Sequence, residues 1–183
     1  DWQSNDLNDS IAADDLTWIV QWGAANSGSW TNDASQDNDY IQFAASWVYK
    51  NGAESNLFGV TVPDDTGGNS SDKSIRVQAQ IETLTNGSGG TESDGDDLTT
   101  LRYGARLYTK MDTEATYYLL AEVDYERGIK GSLENDWTAW VGDGGLGTAT
   151  AAQISAVTGY IADPPSLISF ETLNGYETAD IAI

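Results

Sequence analysis

The chain has no cysteine and no histidine, only three prolines, and only eight Lys and Arg in 183 residues. Without cysteine there are no disulfides and no thiol chemistry, so stability must come from packing or from a bound metal. Without histidine the usual general base, the common catalytic triads and the commonest zinc ligand are missing. Any catalysis would fall to carboxylates, hydroxyls, Lys and Tyr. The basic residues are Lys50, Lys73, Arg76, Arg102, Arg106, Lys110, Arg127 and Lys130, and they are scattered along the chain. A chain with so few cations is not expected to grip the phosphates of a nucleic acid. Nor is it expected to dock on an anionic membrane surface. No apolar run approaches the ~20 residues of a membrane span, so no direct membrane insertion is expected.

What the chain has instead is acid. It carries 29 Asp and Glu, a formal net charge of −21, with 20 Asp against 9 Glu. Unlike-signed partners are too few to neutralise this surface, and self-repulsion of that size opposes compaction. At molar salt the Debye length falls to about 3 Å and the repulsion is largely screened. Short carboxylates in place of long Lys stems also keep a surface hydrated. The composition points to a protein adapted to high salt. The competing reading is an ordinary acidic extracellular protein held together by bound Ca²⁺.

The 183 residues suit one domain, residues 1–183, with 1–14 as an extended arm. Thirty-nine per cent hydrophobic residues argue for a packed core rather than disorder. The periodicity is β almost throughout. Ser74 to Glu82 places Ile75, Val77, Ala79 and Ile81 on one face. Tyr40 to Lys50, Leu101 to Tyr108 and Tyr117 to Tyr125 alternate in the same way. Leu16 to Trp22 is apolar on both faces and is expected between layers. Shorter candidates are Phe58 to Val62, Trp137 to Val141, Leu167 to Leu173 and Thr178 to Ile183. Thr148 to Val157 suits either a short helix or a strand. Eight or nine strands without βαβ alternation predict an all-β, two-sheet antiparallel sandwich, with an eight-stranded jelly roll as its expected form.

One stretch concentrates chemistry. On a strand, Glu122, Asp124 and Glu126 would line one face. The stretch resembles the E-x-D-x-E signature of laminarinase-type glycoside hydrolases, which are also jelly rolls. That resemblance implies Glu122 as nucleophile, Asp124 as helper and Glu126 as acid/base. It covers five residues, and on a solvated strand face of so acidic a chain such a triple is unsurprising.

Loops that gather hard oxygen ligands are the second candidate. Asp33 to Asp39 is one such loop, and Glu92 to Asp97 is the other, with Asp94, Asp96 and Asp97 as the ligands of a structural calcium. Neither follows EF-hand spacing, and solvated turns would need the same residues. No other cofactor is expected. The resulting alternative is a Ca-dependent carbohydrate-binding module.

Trp18, Trp22 and Trp47 lie in strand patterns and are expected in the core, whereas Trp2, Trp30, Trp137 and Trp140 lie near loops or ends. Trp2 and Trp30 are therefore candidate interface residues. So are Arg102 and Arg106, which would pair either with carboxylates of a neighbouring subunit or within their own.

In size, β-content and charge the chain resembles the small single-jelly-roll capsid proteins of membrane-containing haloarchaeal viruses. The resemblance implies a structural, non-enzymatic subunit of a virion. It would assemble with copies of itself and with other coat subunits. An extracellular filament or surface-layer subunit is the neighbouring expectation, with residues 1–14 and 178–183 pairing with the next protomer's sheet edge.

Overall fold

The computed structural model describes residues 9–13, 16–22, 28–32, 41–61, 70–82, 102–111, 114–142 and 153–174. In chain order the strands are β1 (Asp9–Ala13), β2 (Leu16–Trp22), β3 (Trp30–Asn32), β4 (Ile41–Tyr49), β5 (Phe58–Thr61) and β6 (Ser70–Lys73). There follow β7 (Ile75–Glu82), β8 (Arg102–Met111), β9 (Tyr118–Asp124), β10 (Gly128–Gly131), β11 (Val141–Gly142) and β12 (Gln153–Val157). A single helical turn, α1 (Phe170–Asn174), comes last among the described residues.

The strands build two antiparallel five-stranded sheets and a separate pair. The first sheet has the order β1-β2-β7-β12-β11, the second β10-β9-β8-β4-β5, and β3 pairs with β6. The all-β sandwich predicted from the sequence is therefore present, with more strands than eight. Its order places β8 between β4 and β9, and β7 beside β2. The runs β1-β2-β7 and β5-β4-β8-β9 follow the Greek-key order of an immunoglobulin-type sandwich.

The core lies between the sheets and follows the two-residue period of the strands. Leu16, Trp18 and Val20 of β2 and Ile75, Val77, Ala79 and Ile81 of β7 supply one side. Phe43, Ala45 and Trp47 of β4, Ala105 and Leu107 of β8, and Ala121 and Val123 of β9 supply the other. The pairing of β8 with β9 shifts between Leu107 and Tyr108. This bulge turns both Leu120 and Ala121 into the core.

Several expectations are corrected. Leu16–Trp22 buries only one face, since Thr17, Ile19 and Gln21 are half-buried while Leu16, Trp18 and Val20 are buried. The segment 167–173 is not a strand: Ser169 makes one bridge to Tyr118 and the chain then turns into α1. The ambiguous 148–157 stretch resolves into strand β12 from Gln153 onward. Trp30 is not a contact residue. It is 1% exposed, and its indole N–H donates to the Ile161 carbonyl at 2.9 Å, which closes the end of the core. Within the expected 1–14 arm, Asp9–Ala13 is a strand of the chain's own first sheet. Trp2 and the 178–183 strand lie outside the described residues.

Candidate functional site

The chemistry-bearing residues gather on the outer face of the second sheet. Strand register sets them in one row, because Lys130 of β10 stands opposite Glu122 of β9. Glu122 stands opposite Arg106 of β8, and Arg106 opposite Ser46 of β4. Cross-strand neighbours are within side-chain reach, and opposite charges so placed attract. The Lys130 ammonium lies 2.8 Å from Glu122, and the Arg106 Nε lies 3.7 Å from the same carboxylate.

Glu54 closes the row. After β4 the chain turns at residues 49–53 and runs back along the strand, which sets Glu54 opposite Val48. One Glu54 oxygen takes the Arg106 guanidinium at 2.6 Å. The other accepts the Tyr108 hydroxyl at 2.5 Å and the Ser46 hydroxyl. The Glu54 side chain is only 3% exposed. A carboxylate so deeply placed is tolerated because each oxygen has a charged or hydroxyl donor.

The environment fixes protonation. Burial raises the Tyr108 phenol well above its ordinary value, and its hydrogen bond to the Glu54 carboxylate raises it further. For Arg106, burial works against the charge, but the adjacent Glu54 outweighs it and the guanidinium is held more firmly protonated. Phe170 packs edge-on against the Tyr108 ring at 5.3 Å. The strap that carries it is bonded to the start of β9, Leu119 N–H to Ile168 and Phe170 N–H to Tyr117.

The three carboxylates singled out in the sequence do not share one strand face. β9 ends at Asp124, and Glu126 stands exposed in the turn that follows. Glu122 is held between Arg106 and Lys130 as above. Asp124 is 1% exposed and organises the turn. It accepts the backbone N–H of Glu126 at 2.8 Å and of Arg127 at 3.2 Å, and the Arg127 side chain approaches at 3.3 Å. Its hydrogen bond to the Tyr103 hydroxyl, followed by burial, raises that phenol. Glu122 is thus held by ion pairs and Asp124 by turn hydrogen bonds.

Arg106 pairs within its own subunit, with Glu54 and Glu122. Arg102 opens β8 opposite Tyr49. Asp94, Asp96, Asp97 and the 33–39 loop lie outside the described residues. Among the described residues no group of three or more carboxylates is placed to hold a metal.

Glu54, Ser46, Tyr108 and Lys130 were not singled out by sequence reasoning. The alternation of β8 put Arg106 and Tyr108 on one face, which was a partial signal. Nothing in the sequence pairs a turn glutamate with them. A second such carboxylate, Glu134, bridges the sheets: it accepts the Gly131 N–H at 2.7 Å and the Gly159 N–H at 2.6 Å.

The arrangement is thus a sandwich whose best-placed charges neutralise one another internally. No protein-family model, curated protein or solved structure matches the chain.

Proposed function

We propose that this chain is a structural subunit that assembles with copies of itself in a high-salt, extracellular setting, as part of a virion coat or a similar shell. The observation that carries the reading is the use made of its carboxylates. In a chain of net charge −21, Glu54, Glu122, Asp124 and Glu134 serve as internal ties. Such a chain needs screening before copies can approach, which molar salt supplies. A coat subunit does not require the jelly-roll order, since side-by-side packing of sandwiches depends on their flanks.

A filament or surface-layer subunit is the second reading: β1 and β5 end their sheets, and these two edges, which lie beside each other within one chain, would part to pair with the next protomer. Size-exclusion chromatography in molar salt tests both. Large, regular particles are the expected result, and a strictly monomeric protein contradicts the proposal.

A further inference from the structure

Of the three prolines in the chain, only Pro164 follows an acidic residue; Pro63 comes after Val62 and Pro165 after Pro164 itself. Pro164 has no N–H, so the bond between Asp163 and Pro164 is a tertiary amide. Its nitrogen is a more basic leaving group than that of an ordinary peptide bond. A carboxyl stands one side chain away from its carbonyl carbon.

The fold places this bond at a junction. On its N-terminal side the chain is fastened to the sandwich. Ile161 and Ile75 of β7 exchange two backbone bonds, and the Trp30 indole donates to the Ile161 carbonyl. The Ser29 N–H donates to the Ala162 carbonyl at 2.7 Å. On the C-terminal side Pro165 is buried, and the strap is fastened to β9 through Ile168 and Phe170. Between these anchors Asp163 and Pro164 are both exposed. The Ser29 hydroxyl donates to Asp163 Oδ1 at 2.6 Å, which leaves Oδ2 without a partner among the described residues. β3 brings no charged group to this corner. Arg76 of β7 is turned to the Thr158 carbonyl and to the ring of Tyr160.

We infer that the bond between Asp163 and Pro164 is a self-cleavage site at which acid separates the strap from the sandwich. The Asp163 carboxyl attacks the carbonyl carbon of its own residue and closes a cyclic anhydride. The bond to the Pro164 nitrogen breaks, and the carboxyl proton passes to that nitrogen, which leaves as a secondary amine. Water then opens the anhydride, which restores the side-chain carboxyl and leaves a second carboxyl as the new C-terminus. One water is consumed, and nothing is oxidised or reduced. An attacking oxygen held within the same residue replaces a bimolecular step. Exposure means that no part of the fold must open for water and acid to reach the bond. The cut turns residues 164–183 into a bound segment, held by its backbone bonds to β9 and by Phe170 against Tyr108. The inference is independent of the assembly reading.

The test uses the full chain in molar salt, at the lowest pH at which circular dichroism shows it folded, with intact mass measured under denaturing conditions. Two fragments, 1–163 and 164–183, should accumulate. Their rate of appearance should lie within roughly tenfold of that for the same chain unfolded in urea at the same pH, because the exposed bond needs no opening. Asp163→Ala and Pro164→Ala, both at exposed positions, should stay folded and be cut roughly tenfold or more slowly. The inference is overturned if the folded wild type stays whole, or if it is cut far more slowly than the unfolded chain. A first cut at another bond, or either variant cut as fast as wild type, overturns it equally.

Discussion

On the first sheet the side chains that face away from the core are neutral or singly charged: Gln78 and Ser155 are fully buried, and Thr17, Ile19, Arg76 and Gln80 are half-buried. On the second sheet the corresponding face is also partly closed, with Ala44, Ser46 and Tyr108 fully buried and Arg106, Glu122 and Lys130 half-buried, but there it carries a charge network. The difference lies in the carboxylate that a covering segment brings to the second face. The return after β4 lays Glu54 over the second sheet, and the strap ending in α1 lays Phe170 over Tyr108. A strand face that reads as polar can therefore be a solvated surface or an internal charge network. The covering segment, not the strand's own alternation, decides which.

Removing a network charge should break that contrast most sharply. Glu54→Ala leaves Arg106 with one weakened partner and two hydroxyls unpaired, and should cost about 3–5 kcal/mol in denaturant unfolding. The matching change on the first sheet, Gln80→Ala, should stay within about 0.5 kcal/mol. Equal losses at the two sites would mean that the Glu54 network holds its sheet face no more tightly than the neutral side chains hold the first.

Gly128→Ala should be next, at about 3 kcal/mol. Gly128 has φ +115°, and a Cβ there would run into the Thr138 carbonyl, so β10 could not hold its flank. Asp124→Asn should cost about 1.5–3 kcal/mol, the range for hydrogen bonds to a charged group, because the turn loses its carboxylate acceptor.

Tyr108 sharpens the contrast by pH. Its phenol is raised in the folded chain, so folding favours the protonated form. That contribution is fully present below the ordinary phenol value of 10.0 and is lost as pH rises above it toward the raised folded value. Alkaline unfolding of Tyr108→Phe should accordingly show a shallower loss of stability above pH 10.0 than wild type. Identical slopes would contradict the buried hydrogen bond.

How much of this was legible in the sequence follows from the range of each interaction. The strands β2, β4, β7, β8 and β9 were readable because alternation is local, and their core residues Trp18, Phe43, Val77, Leu107 and Val123 fell where the period put them. The strand order was not, because pairing β4 with β8 joins residues far apart in the chain. The short strands β3, β6 and β10 were missed because three or four residues carry no period. The motif Glu122, Asp124, Glu126 read as one strand face because its alternation continues past Asp124. The chain turns there because the Asp124 carboxylate caps the Glu126 and Arg127 N–H groups. Trp30 read as a contact residue because its flanks are loop-like, yet its partner, Ile161, lies 131 residues away.

The central claim is that the −21 chain assembles once its charge is screened. Sedimentation velocity across a dilution series from molar to low salt tests it most directly. The account predicts large particles in molar salt that fall steeply to monomers on dilution. A monomer at every salt concentration, or particles indifferent to salt, would contradict it.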